Sequence, residues 1–225
     1  MIKKNLLPFA KREWKKYKNS ITNISKDSHG KPLVTSKIQI YHFDEKIIPT
    51  IFDSKKIIPC SADGIVPMAK KIIVIEFKQG FKDKITIANY DPQKAMCSEG
   101  TPPIPCPEYW KLFCSIREKE KKELINAIKL KAIETYITLE KHIFPNCPSG
   151  KNIEVDYFVV IDGDDVDGQE NILENLAGKT KGNNIFAKIR ESLIRLQTTP
   201  SKNYYYDKIE VLSGSEFLEK IKDYK

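Results

Sequence analysis

The eight residues from Lys71 to Lys78, KIIVIEFK, constrain the fold of this 225-residue chain more than any other stretch. Four consecutive β-branched apolar residues bounded by charges read as a strand inside a sheet. Strand alternation then puts Glu76 and Lys78 on one face and Phe77 on the other. Two charged groups at the end of an apolar strand need a structural or chemical reason.

Around this strand the pattern predicts a single α/β domain. Residues 9–24 read as a basic helix that ends before the turn cluster Asp27 to Pro32. Runs at 37–43, 47–52, 57–66 and 71–78 read as a meander of strands. Residues 83–114, with Pro102, Pro103, Pro105, Pro107 and three of the five cysteines, read as an irregular insertion or lid. Apolar residues at helical spacing predict the longest helix over 115–144, including Leu124, Ile125, Ile128, Ile133, Tyr136 and Ile137. Ile153 to Ile161 has the apolar character of a buried parallel strand. A helix over 184–197, a strand over 208–212 and a capped helix over 215–224 complete the chain. With no internal repeat, the order gives one domain over 1–225 with a mixed sheet flanked by helices. Its parts are a basic helical section (1–30), a core (31–161) carrying the Pro/Cys-rich insertion, and a C-terminal α/β extension (162–225).

Composition excludes several alternatives. At 40% hydrophobic and 10% aromatic residues, the chain can bury a core and is not a disordered tail. No window approaches the roughly 18 apolar residues of a membrane span, and Pro8 comes too early for a signal-peptide core. Five cysteines without a CxxC pair suggest neither a disulfide framework nor a zinc ribbon, so a reducing cytoplasm is the expected location.

The net charge of +8 is unevenly placed. Residues 1–58 hold 13 Lys+Arg against 5 Asp+Glu, whereas residues 59–225 hold 25 of each. Lys11, Arg12, Lys15, Lys16 and Lys18 are interleaved with Trp14 and Tyr17, a mixture of cations and flat rings suited to nucleic acid. A solvated helix face with two anchoring aromatics is the plainer account of the same residues.

The chemistry is concentrated near Glu76. An acid-x-lysine tripeptide alone carries little, since it occurs six times, beginning at Glu13, Asp44, Asp53, Glu76, Glu120 and Asp223. The preceding run Cys60 to Val66 is a second strand candidate. If Pro67 to Lys70 form the hairpin loop, Asp63 falls opposite Val74 and diagonal to Glu76, on the same face. Two carboxylates with the Phe77 carbonyl between the charged side chains suit Mg²⁺, with Mn²⁺ as a substitute. Lys78 would orient or help deprotonate a water, or neutralise charge on a phosphate. The competing account is a surface ion pair at a strand end, with Asp63 in an Asx turn into Gly64.

Asp63, twelve intervening residues and Glu76-Phe77-Lys78 together resemble the PD-(D/E)XK nuclease superfamily, the restriction-endonuclease-like fold. The order helix, three antiparallel strands, helix and parallel strand over residues 9–161 fits that resemblance. It implies a metal-dependent phosphodiesterase acting on nucleic acid, duplex DNA above all, as an endonuclease of restriction, repair or phage type. Asp63 and Glu76 would be metal ligands and Lys78 the catalytic lysine. Ala62 stands where the motif has proline. For the acid many relatives carry on the first helix, Glu13 is preferred to Glu45. No Gln-x-x-x-Tyr element of the RecB-like branch is present. A homodimer is compatible with this reading. The alternative is a catalytically inactive nucleic-acid-binding module on the same fold.

Other constellations are weaker. Asp162 to Gly168 resembles a calcium loop only with Gly163 in place of the first ligand, and reads better as a solvated turn. Cys97, Cys106, Cys114 and Cys147 have no compact ligand spacing. His29, His42 and His142 are scattered.

Overall fold

The computed structural model describes residues 4–52, 58–81, 107–148, 153–162, 185–199 and 204–222. Six strands form one open mixed sheet in sequence order: β1 (Lys18–Ser20), β2 (Gln39–His42), β3 (Gly64–Pro67), β4 (Lys71–Lys78), β5 (Glu154–Ile161) and β6 (Lys208–Ser213). The helices are α1 (Leu7–Glu13), α2 (Ile21–Ile24), α3 (Ile48–Ile51), α4 (Pro107–Thr138), α5 (Ile185–Leu193) and α6 (Gly214–Lys222). This is an α/β domain, and none of the described helices is long and apolar enough to cross a membrane.

Strands β1 to β4 pair antiparallel, whereas β4, β5 and β6 pair parallel. Connection length dictates this change: β3 and β4 share a tight hairpin, while the return from β4 to β5 is long enough to include α4, as a parallel crossover requires. Alternation divides β4 between two cores. Ile72 and Val74 join Val155, Tyr157, Val159 and Val211 beneath residues of α1, α4 and α5. Ile73, Ile75 and Phe77 join Phe158 and Val160 beneath α2 and α6. Each fully buried isoleucine contributes about 1.5–3 kcal/mol relative to an exposed one.

Several sequence expectations need correction. The basic segment over 9–24 is not one helix. After α1, Lys15–Tyr17 forms a single tight turn and Lys18–Ser20 adds a strand, with Lys18 opposite Tyr41. Trp14 accounts for the break, because its buried ring is fixed edge-on to Tyr41 and Phe43 at 6.3 Å each, which redirects the chain onto the sheet edge. Ser20 then caps α2 by accepting from the Asn23 amide at 3.3 Å.

The run at 47–52 is not a strand either: a wide turn over Phe43–Ile47 continues into α3. Pro49 lacks a ladder donor but suits a first helical turn. Of the run at 57–66, only Gly64 onward pairs as a strand. The preceding residues are tied to α4, with the Cys60 amide donating to Glu134 Oε2 at 2.5 Å and the Ala62 amide to Thr135 Oγ1 at 2.8 Å.

Helix α4 starts at Pro107, so residues 107–114 are helical rather than part of an irregular insertion. Residues 82–106, which include the rest of that expected insertion, lie outside the described residues. The C-terminal pattern matches more closely. Strand β5 is parallel and buried, and α6 is capped reciprocally: the Ser213 amide donates to Glu216 Oε2 at 2.8 Å and the Glu216 amide to Ser213 Oγ at 3.3 Å.

Candidate functional site

The β3–β4 hairpin is tighter than its sequence suggests. The Met68 amide donates to the Lys71 carbonyl at 2.7 Å, and Gly64 pairs with Ile75, so only Ala69 and Lys70 form the loop. Relative to a four-residue loop, this register brings Asp63 directly across from Glu76 instead of Val74. Gly64 leaves room for the buried Ile40 side chain of β2, since a Cβ there would lie 2.7 Å from Ile40 Cδ1.

Asp63 is held through both backbone and side chain. Its carbonyl accepts from the Phe43 amide at 2.9 Å, and its Oδ2 accepts from the Phe77 amide at 2.7 Å. The N–H and C=O of an extended residue face the same side, so the Phe77 carbonyl also faces the edge beside Asp63. Glu76 lies one residue earlier on β4 and is 1% exposed.

The side chain that joins the two acids is Lys131. Its Nζ donates to Asp63 Oδ1 and to Glu76 Oε2, each at 3.0 Å. Half-buried Lys131 lies on the inward stripe of α4 formed by Ile128, Ala132, Thr135 and Tyr136, which follows helical spacing. Sequence reasoning missed it. The available signal was a lysine at an inward position of that stripe, where an apolar residue belongs.

Burial sets the electrostatics. Desolvation pushes the Glu76 carboxyl well above its ordinary range, and the neighbouring charge of Asp63 adds to the effect. Desolvation also raises Asp63, opposed by Lys131 and by the Phe77 amide. For Lys131, burial acts downward, but the charges of Glu76 and Asp63 and the hydrogen bonds to both acids prevail and hold it above the usual lysine value. Glu76 Oε1 remains buried without a hydrogen-bond partner, as does the Tyr157 hydroxyl. Glu76 and Asp63 both act electrostatically on Tyr157.

Among the described residues, no three His, Cys, Asp or Glu side chains converge as a ready-made metal cage. Two converging carboxylates, an adjacent carbonyl and an orphaned carboxylate oxygen nevertheless fit a hard divalent cation that retains water ligands.

The remaining residues singled out from sequence are more dispersed. Lys78 is half-buried at the end of β4, and its charge acts on Glu76. Glu13 is exposed, accepts from Arg12 at 2.6 Å and borders a cleft with Trp14, Lys16, His142 and Asn146. The additional acid whose charge acts on Asp63 is Asp44, which accepts from Ser61 Oγ at 2.5 Å. Glu45 instead faces His42, with 3.6 Å between Oε2 and Nε2.

Lys11, Arg12, Lys15, Lys16 and Lys18 are all exposed, with Lys16 above Tyr17 and Lys18 above Tyr41, each 5.0 Å from the ring centroid. Asp162 clamps the chain just after β4, accepting from the Gly80 and Phe81 amides at 2.7 and 2.9 Å. The rest of the acidic loop, residues 163–168, lies outside the described residues, as do Cys97, Cys106 and the Cys114 side chain. Cys147 is buried, and burial pushes its thiol up to about 11.

Comparison of the chain with protein-family models, curated proteins and solved structures gives no match in any of the three.

Proposed function

We propose that this chain is a metal-dependent nuclease that hydrolyses phosphodiester bonds in nucleic acid, duplex DNA above all, as the resemblance to the PD-(D/E)XK superfamily implies. One observation carries the reading: Asp63 and Glu76, from neighbouring antiparallel stretches of chain, turn their carboxylates onto one cation at 3.0 Å, with Lys78 two residues beyond Glu76. A surface ion pair does not account for this arrangement, because Glu76 is almost wholly buried.

Asp63, Glu76 and the Phe77 carbonyl would hold Mg²⁺ or Mn²⁺. When bound, the ion would supply Lewis-acid stabilisation of a phosphate and a more acidic water. The Phe77 amide fixes the direction of Asp63, and strand pairing fixes Glu76 opposite it. Lys78 projects from the same strand face, suited to orienting an attacking water or offsetting charge on the phosphate. The exposed N-terminal cations grip flanking phosphates. Trp14 connects their segment to Phe43, whose amide holds the Asp63 backbone. A reducing cytoplasm is the working environment in this reading.

Incubation with supercoiled, linear, branched and single-stranded DNA, with and without Mg²⁺ or Mn²⁺, tests it. Cleavage is expected only with metal. Asp63→Ala, Glu76→Ala and Lys78→Ala should each reduce it by roughly 10² or more. Nucleic-acid binding without metal-dependent cleavage of any substrate would leave the non-catalytic binding module as the function.

A further inference from the structure

Lys131 is harder to explain than the acids it joins. A lysine in a core ordinarily lays its stem along apolar surface and sends its charge to water. The Lys131 head group instead lies 3.0 Å from both Asp63 Oδ1 and Glu76 Oε2, and the second of these acids is 1% exposed. The ammonium still leaves the site incomplete, because Glu76 Oε1 is buried with no partner, although such oxygens are normally satisfied. Mg²⁺ would draw oxygen ligands to about 2.0–2.1 Å and could recruit water to the remaining oxygen. It could not share the carboxylates with an ammonium at hydrogen-bond distance, since the two cations would repel across a few ångströms of poorly screened interior.

Resting on the nuclease reading above, we propose that Lys131 is the resident counter-cation of the site, holding Asp63 and Glu76 together in the metal-free protein and yielding its place to the divalent ion. The exchange involves no covalent step. Two N–H···O contacts break, the lysine stays protonated, and the metal takes the released oxygens. At 23% side-chain exposure, Lys131 has a path toward solvent. Its helix has an anchor independent of the two acids, since Thr135 Oγ1 accepts from the Ala62 amide at 2.8 Å. Once released, the ammonium can turn to its solvent-exposed side, where a substrate phosphate would be its new partner. Lys131 therefore weakens metal binding while preventing the two acids from repelling each other before metal arrives.

The test is titration of Mn²⁺ into wild type, Lys131→Gln and Lys131→Arg at one pH and ionic strength. Binding is followed by calorimetry and electron paramagnetic resonance, and folding by circular dichroism. Lys131→Gln should bind Mn²⁺ roughly tenfold more tightly than wild type or better, and should gain more thermal stability from saturating metal. Lys131→Arg, which keeps the charge, should bind no more tightly than wild type. If Lys131→Gln is unfolded without metal, saturating Mn²⁺ should restore the native spectrum, and failure to do so overturns the proposal. Equal or weaker Mn²⁺ binding by folded Lys131→Gln overturns the proposal and leaves the nuclease reading intact. Absence of Mn²⁺ binding in all three proteins overturns both. The expected affinities without cleavage of any nucleic acid support the role of Lys131 and overturn only the nuclease reading.

Discussion

The backbone amide of Phe77 donates to Asp63 Oδ2 at 2.7 Å, so the strand that carries Glu76 also orients the acid opposite it. Removing the acceptor should therefore affect stability as well as chemistry. Asp63→Ala leaves the Phe77 amide without that acceptor and should cost about 1–3 kcal/mol in a denaturant melt. Asp63→Asn retains a side-chain carbonyl and should cost less. Both should lose metal-dependent cleavage, so a stable but inactive Asn variant separates the two roles.

The raised Glu76 carboxyl has a defined pH signature. Burial and the Asp63 charge favour its protonated form in the folded state. Its contribution to stability is fully present below the unfolded carboxylate value of about 4.3 and is lost as pH rises through the higher folded value. Glu76→Gln lacks this loss. In chelator, thermal melts across the pH range should therefore show the stability difference moving in favour of Glu76→Gln as pH rises. A constant difference would mean that Glu76 ionises as easily in the fold as in the unfolded chain.

The close contact between β2 and β3 can be tested by a double-mutant cycle. Gly64→Ala would place a Cβ 2.7 Å from Ile40 Cδ1 and should destabilise by about 1–3 kcal/mol. Ile40→Val removes that terminal carbon and should itself cost about 0.5–1.5 kcal/mol. If crowding is the cause, the double variant should be more stable than the sum of the single effects implies, by at least about 0.5 kcal/mol.

Much of the β-rich core can be read from local pattern, because β4 and β5 are apolar runs whose period and length admit few alternatives. Local pattern fails where a distant partner decides. Trp14 ends the basic helix because Tyr41 and Phe43 are waiting for its ring, and Lys18 becomes a strand residue because β2 offers an unpaired edge. The carboxylates stand out beside an apolar strand, but the hairpin register depends on the Met68–Lys71 hydrogen bond. Lys131 is concealed by its own helix. Surrounded by other lysines and glutamates, it resembles a surface residue until Ile128, Ala132 and Tyr136 fix the inward face.

The N-terminal cations carry a separate expectation. If they contact phosphates, log affinity should fall with log salt by about 0.9 per phosphate neutralised on a duplex, or 0.7 on a single strand. Replacing Lys15 and Lys16 with Ala should weaken binding alike across sequences and reduce that slope by about one to two. Chemistry at saturating DNA should change little. An unchanged slope with unchanged affinity would make these lysines solvated surface alone.

The sheet's change from antiparallel to parallel at β4 also orders the folding events. Asp63 and Phe77 are 14 residues apart, whereas Lys131 lies 68 residues from Asp63 and 55 from Glu76. Loop-closure entropy rises by about 0.6 kcal/mol for each doubling of length, so the hairpin forms at a lower entropic cost than the docking of α4. A hairpin formed first would bring two acids together before Lys131 docks, an electrostatic frustration that the long crossover relieves. On that ordering the site is completed only when α4 docks, and if the acids bind divalent ions as proposed, such ions present during refolding would relieve them ahead of the helix.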